Sequence, residues 1–350
     1  MQQPDIHFST HGRAGLIELD RPKALNAISY EMAMAISTQI EHWSADAEIT
    51  HIVIAGSTPR AFCAGGDVRD LYQYITRGEF DRTRVYFRAE YNADLDVFNC
   101  PKPVVALADG IVMGGGAGLM QCSHYRIASS KTRFAMPESA IGLFPDAGAS
   151  IFLGRCPRPM ALFIGLAGQI ISAADCMMLG LADAVVPAEQ IADMRTDLLA
   201  CDVTGIDDVI ARYRTDPGAA PLQAHRTVID HVFSGDDLAA MRDRAGELAK
   251  LKGDKFAAML YAALSTRCPM TMHVFLRLID GVDIPDMAAA LAMDYRLAIR
   301  MSERADFSDG VRAVLIDKTN DATWSPARLE DVTPAMLDAV FDHAGLPVLR

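Results

Sequence analysis

What this chain lacks narrows its role before any motif is considered. Its 350 residues carry 33 Lys and Arg against 45 Asp and Glu, a formal net charge of −12. No excess of positive charge is present to meet a nucleic-acid backbone or an anionic membrane, although a few local bases can still hold an anionic small molecule. There is no C-x-x-C pair. The seven cysteines are scattered, odd in number and without Cys/His spacing suited to zinc, so they read as reduced packing residues and no metal is expected. No run is long and apolar enough to span a bilayer. The opening MQQPDIHFSTHGRAG has neither an apolar signal core nor the Arg/Ser-rich character of a transit peptide. The expectation is a soluble cytoplasmic protein with no nucleic-acid or membrane partner.

Half of the residues, 51%, are hydrophobic, which excludes disorder for most of the chain and suggests two domains or one elaborated core. AGLIELD (Ala14 to Asp20) and HIVIAG (His51 to Gly56) read as strands. Between them Met32, Ile36, Ile40 and Trp43 recur at helical spacing behind Ser29, a good N-cap, with Glu31 in the first turn. KPVVALADG, YRIASS, RFAMP and ADAVVP give further strands, each ended by Gly, Ser or Pro. After about residue 190 the chain turns to amphipathic helices such as DMAAALAMDYRLAIRMSER (Asp286 to Arg304). The expected organisation is an α/β core over 1–190 and a helical region over 191–350 that packs on it, without repeats or a low-complexity linker.

Three stretches carry chemistry. AFCAGGDVRDLY (Ala61 to Tyr72) has adjacent glycines that let backbone N–H groups approach a ligand. MGGGAGLMQC (Met113 to Cys122) runs into a helix, whose first N–H groups can bind an anion or a developing oxyanion. RFAMPESAIGLFPDAGAS (Arg133 to Ser150) sets Glu138 and Asp146 among apolar residues, where each either caps a turn or is kept dry for chemistry. A dinucleotide fingerprint fails on Leu119, which stands at the third glycine position, and on Pro137, which puts a turn or helix start before Glu138. Cys122 and His124 are two residues apart on a helix-like segment, so their side chains diverge and read as packing groups. Cys63 reads as a small core residue, and Asp67 as a structural carboxylate paired with backbone N–H groups after a glycine turn.

Taken in order, LDRPKALNAIS, AFCAGGD, GGGAGL and MPESAIGLFPDAG resemble the crotonase superfamily of CoA-thioester enzymes. The match to its 3-hydroxyisobutyryl-CoA hydrolase branch extends through MDYRLAIR, DFSDGVRAVLIDK and WSPARLEDVT, over nearly the whole chain. The resemblance implies a spiral of β-β-α units with a helical carboxy-terminal region, an acyl-CoA substrate with no separate cofactor, and a trimer as the usual assembly. It implies an oxyanion hole from the backbone N–H groups of Gly66 and Gly115. It also implies CoA-thioester contacts from Arg21, Lys23, Leu25, Ala64, Gly65, Gly114, Gly118 and Lys318, the three bases being otherwise ordinary surface charges. Hydratases of the superfamily hold water with two glutamates, one of which falls at Gly118 here. The hydrolase branch also has glycine there and adds an aspartate in FPD, matching Asp146. The resemblance therefore implies hydrolysis of a short 3-hydroxyacyl-CoA such as 3-hydroxyisobutyryl-CoA, an intermediate of valine breakdown. Glu138 would act on the thioester carbon as general base or nucleophile, and Asp146 would orient the 3-hydroxyl or share proton transfer. An enoyl-CoA hydratase or isomerase with an altered carboxylate set is the alternative, and a non-catalytic CoA-binding protein the third reading. Ala149 and Ser150 depart from the branch, which has further glycine there.

Overall fold

The apolar runs become strands whose faces are covered on both sides, which is why several read as continuous and not alternating. The computed structural model describes residues 5–281 and 283–350. Its strands are β1 (Ile6–His11), β2 (Ala14–Leu19), β3 (His51–Gly56), β4 (Ala61–Cys63), β5 (Val104–Ala108), β6 (Ile111–Met113), β7 (Tyr125–Ser129), β8 (Arg133–Ala135), β9 (Ile171–Ser172) and β10 (Ala184–Val186). A six-stranded sheet runs β1-β2-β3-β5-β7-β10, parallel except for the β1–β2 hairpin. A smaller sheet runs β4-β6-β8-β9, parallel except at β8–β9. The expected helix between the early strands spans Tyr30–Ala45, with the Ser29 hydroxyl accepting from the Met32 N–H at 3.2 Å. Met32, Ile36, Ile40 and Trp43 are all buried. The sequence reading missed the six-residue β1, and it missed β4, β6 and β9, whose two or three residues are too short to show a period.

The chain resolves into two units. One joins the described residues up to Asp67 with Ala89–Ala135 and Ile171–Pro221; the other is Val68–Arg88, Met136–Ile170 and Leu222–Arg350. Both are discontinuous in sequence, unlike the single cut near residue 190 that composition suggests. The reason lies in the helices just after that point: Met194 and Leu198 of the helix Ile191–Ala200, with Ile206 and Val209 of the next, cover Leu16, Val53, Val105, Leu107 and Val186 of the large sheet. Both sheets lie in the first unit. The second contains the helices Arg158–Ala167, Leu238–Lys252, Lys255–Thr266, Pro269–Asp280, Met287–Ser302 and Ala305–Val311.

Within the second unit the helix Ala305–Val311 meets the chain after Glu138 backbone to backbone. A Cβ on Gly310 would lie 2.5 Å from the Ile141 carbonyl carbon, and one on Gly142 2.4 Å from the Asp306 carbonyl oxygen. Neither position has room for a methyl group, and backbone cannot step aside as a side-chain tip can. Gly310→Ala is therefore expected to destabilise the protein by at least about 2 kcal/mol, as overpacking in a tight interior does. Urea unfolding checks this, and an unchanged midpoint would show that the contact gives way.

Candidate active site

The first cluster is built entirely in the sheet-bearing unit. The turn after β2 and the turn after β4 run beside each other: Ala64 N–H donates to Leu25 O at 3.0 Å, Ile28 N–H to Gly65 O at 2.8 Å and Asp67 N–H to Ile28 O at 2.9 Å. Asn26 clamps them. It is fully buried in the left-handed conformation (φ 57), and its amide donates to Ala61 O and Phe62 O at 2.9 and 3.1 Å. That Asx-type hold on the backbone is what the LNA triplet encodes.

Gly115 opens the helix Gly115–Gln121, where a first-turn N–H has no intrahelical acceptor. A Cβ built on Gly115 would sit 3.4 Å from Gly66 N, and one built on Gly65 would sit 3.5 Å from Gly115 N. The two glycine loops that were read separately thus come together with their backbone nitrogens side by side. Gly114 is the N-cap, and Gly118 is buried inside the helix with its N–H on Gly114 O at 3.1 Å. A carboxylate that sequence reasoning overlooked also borders this place: Glu90, buried, has Oε1 2.2 Å from the position a Gly115 Cβ would take.

The bases fare differently. Arg21 holds its own loop together, donating to Asp67 Oδ2 at 2.5 Å and Ala27 O at 3.1 Å and pairing with Asp5 at 3.3 Å. Asp67, expected to pair with backbone N–H groups, also pairs with this guanidinium. Lys23 is exposed in the short turn Pro22–Ala24, and Lys318, in the second unit, is also exposed. Burial, reinforced by the charges of Glu90 and Asp94, pushes the Cys63 thiol up to about 12, so it stays neutral. Cys122 and His124 lie just past the helix and not on it: Cys122 is its buried C-cap, and His124 Nδ1 accepts the Val104 N–H at 3.2 Å. Among the described residues no group of three His, Cys, Asp or Glu side chains is arranged to hold a metal ion.

The second cluster belongs to the helical unit. Glu138 begins the short helical turn Glu138–Ala140 behind Pro137 and is only 5% exposed. Its carbonyl takes the N–H groups of Ile141 and Leu143 at 2.9 and 3.2 Å, and its neighbour Ser139 is tied by Cys268 N–H to Ser139 O at 2.9 Å. The carboxyl group therefore stands on a backbone fixed from both sides. Asp146, equally buried, precedes two left-handed residues, Ala147 (φ 52) and Gly148 (φ 83), and its carbonyl accepts the Ala149 N–H at 3.0 Å. Ala149 and Ser150 are both buried at the start of the helix Ala149–Phe152.

Sequence reasoning missed Asp294. It is fully buried on the helix Met287–Ser302 and accepts the Gly148 N–H at 2.8 Å. The signal was available: Asp294 lies on the stripe formed by Leu291, Leu297 and Ala298, where an acid interrupts an otherwise apolar face.

Comparisons with known proteins show what this chain is similar to. A family model described as enoyl-CoA hydratase/isomerase matches residues 14–341. The mitochondrial 3-hydroxyisobutyryl-CoA hydrolases of Xenopus laevis, Gallus gallus and Homo sapiens are 38%, 36% and 35% identical. The matches cover 95%, 97% and 99% of this chain and 88%, 89% and 90% of those proteins. Among solved structures, a carnitinyl-CoA dehydratase from Mycobacterium thermoresistibile is 30% identical with a TM-score of 0.90, covering 99% of this chain and 98% of that one. An enoyl-CoA hydratase from Rhodobacter sphaeroides 2.4.1 is 31% identical with a TM-score of 0.89, covering 99% of both. The expected crotonase-like fold with a helical carboxy-terminal region is the fold observed. The expected cytoplasmic location is overturned, because these hydrolase relatives are mitochondrial. Reduced cysteines suit a mitochondrial interior equally well, so they carried no information about compartment. Among the described residues no helix is long and apolar enough to cross a membrane.

Proposed function

This chain belongs to the enoyl-CoA hydratase/isomerase family, and from that premise we propose that it hydrolyses a short 3-hydroxyacyl-CoA thioester, foremost 3-hydroxyisobutyryl-CoA. The products are the free 3-hydroxy acid and CoA. The observation that carries this reading is a pair of buried carboxyl groups, Glu138 and Asp146, in one segment, with glycine at position 118. Hydration in this superfamily uses a loop glutamate at that place, whereas hydrolysis uses the aspartate.

In the proposed mechanism the thioester carbonyl oxygen takes hydrogen bonds from the Gly66 and Gly115 N–H groups. They stabilise the charge that grows on that oxygen as the carbon becomes tetrahedral. Glu138 acts on the carbon by one of two routes. It either removes a proton from the attacking water or attacks directly, giving an anhydride that water then opens. Collapse of the tetrahedral centre breaks the C–S bond, and a carboxyl proton passes to the departing thiolate. Single turnover in ¹⁸O-water separates the routes, since only the anhydride places label in Glu138. Asp146 is assigned to the 3-hydroxyl and to proton transfer with Glu138.

Release of free CoA thiol from (S)-3-hydroxyisobutyryl-CoA, measured beside short enoyl-CoA and unsubstituted acyl-CoA, tests the proposal. Consumption of enoyl-CoA without thiol release would replace it with the hydratase reading. Asp146→Asn is expected to lower kcat by about 10²-fold and to erase much of the preference for the 3-hydroxy ester. An equal loss on a substrate without the hydroxyl would contradict the orienting role.

A further inference from the structure

The carboxyl group of Asp294 has no part in the mechanism above, yet it is fully buried and touches the segment that carries Asp146. Its Oδ2 accepts the Gly148 N–H at 2.8 Å, while among the described residues its buried Oδ1 has no hydrogen-bond partner. We infer that Asp294 is a positioning residue for Asp146: it fixes the Asp146-Ala147-Gly148 turn in the conformation that presents the Asp146 carboxylate.

Three features of the helical unit support this. Ala147 and Gly148 both have positive φ, and for Ala147 that conformation is one an L-residue seldom adopts without outside support. Asp294 supplies that support through a single hydrogen bond to the residue after it. The space on the other side is filled by Met287 from the same helix, whose Sδ lies 2.3 Å from where a Gly148 Cβ would be. The turn is thus held by one helix through one polar and one apolar contact.

The charge state of Asp294 follows from its surroundings. Burial raises its pKa well above the usual aspartate range and the neighbouring Asp146 charge adds to this, while the Gly148 N–H opposes it. Acids on the elements packed against this helix are paired with bases, Asp306 with Arg304, Asp309 with Arg312 and Asp338 with Arg277, and Glu303 at its own C-cap pairs with Arg84. His343 approaches Met293 Sδ, and burial lowers its pKa. The upward shift at Asp294 favours the neutral acid, which accepts the Gly148 N–H without setting a second negative charge against Asp146. Because its folded pKa is raised, it costs the protein stability as pH climbs above the ordinary aspartate pKa.

The inference rests on the hydrolase reading, and the test separates the two. Thiol release from (S)-3-hydroxyisobutyryl-CoA is measured for wild type, Asp294→Asn and Asp294→Leu. Asn keeps an acceptor for Gly148 and mimics a neutral acid. It is expected to retain kcat within about threefold and to melt at or above wild type at pH 8, where the acid is most costly. Leu fills the space without an acceptor; it is expected to lower kcat by about 10²-fold, as a small misplacement of a catalytic group does. KM should stay near normal and the preference for the 3-hydroxy ester should fall, as in Asp146→Asn. If Leu is not accommodated, Asp294→Ser, too short to reach Gly148, makes the same comparison. A folded Leu or Ser variant with wild-type kcat overturns the inference. So does an Asn variant as slow as Leu, and so does failure of both Leu and Ser to fold, which would make Asp294 a core determinant. A wild-type chain that releases no thiol fails the hydrolase reading instead.

Discussion

Glu138→Gln is expected to lower kcat for thioester hydrolysis by about 10³-fold while leaving KM and the unfolding midpoint close to wild type. The substitution keeps the shape of the side chain and removes its basicity and nucleophilicity. Its backbone is held independently of the carboxyl group, by Ile141 and Leu143 on the Glu138 carbonyl and by Cys268 on Ser139. The turn therefore has no reason to move when the charge is lost. Steady-state thiol release, paired with binding of a non-hydrolysable CoA thioether, measures the two quantities separately. Turnover within tenfold of wild type would remove Glu138 from the mechanism.

Gly115→Ala is expected to cost about 10²-fold in kcat, the scale of one lost oxyanion donor. The new methyl would stand 2.2 Å from Glu90 Oε1 and 3.4 Å from the Gly66 nitrogen. Glu90 must withdraw or the loop must shift. Even if Glu90 withdraws, the methyl lies beside the nitrogen that a substrate oxygen must approach to within about 3 Å. Adding Glu90→Ala separates these effects: it should restore the unfolding midpoint of Gly115→Ala but not its kcat. Recovery of both would show that Glu90, and not the placement of the N–H groups, accounts for the loss.

These two residues were legible in the sequence for different reasons. The glycines of AFCAGGD and MGGGAGL announce close backbone approach, and the structure sets the two loops against each other. Glu138 and Asp146 stood out as acids in apolar company, and both are buried. Asp294 was equally visible as an acid on an apolar helical stripe. Its partner lies 146 positions away, however, and no local period reports which distant N–H a buried acid will meet. Glu90 was hidden in the same way, inside a long helix of mixed polarity. Arg21 shows the same limit from the side of the bases. A base near a substrate motif suggests a phosphate contact, and the fold adds pairing with an unread acid, Asp5, and with Asp67. Charge pairing across the fold is invisible until the fold is known.

The contact between Gly310 and the backbone of Ile141 also bears on when the protein becomes active as it is made. The turn that carries Glu138 leaves the ribosome well before the helix Ala305–Val311 on which it rests. Contacts between segments so far apart in sequence form late, because the long intervening loop must be closed first. A nascent chain can therefore complete its large sheet and both glycine loops while Glu138 still lacks its backing. The backing of the turn proposed to carry the reacting carboxylate is thus complete only once the helix Ala305–Val311 has been synthesised.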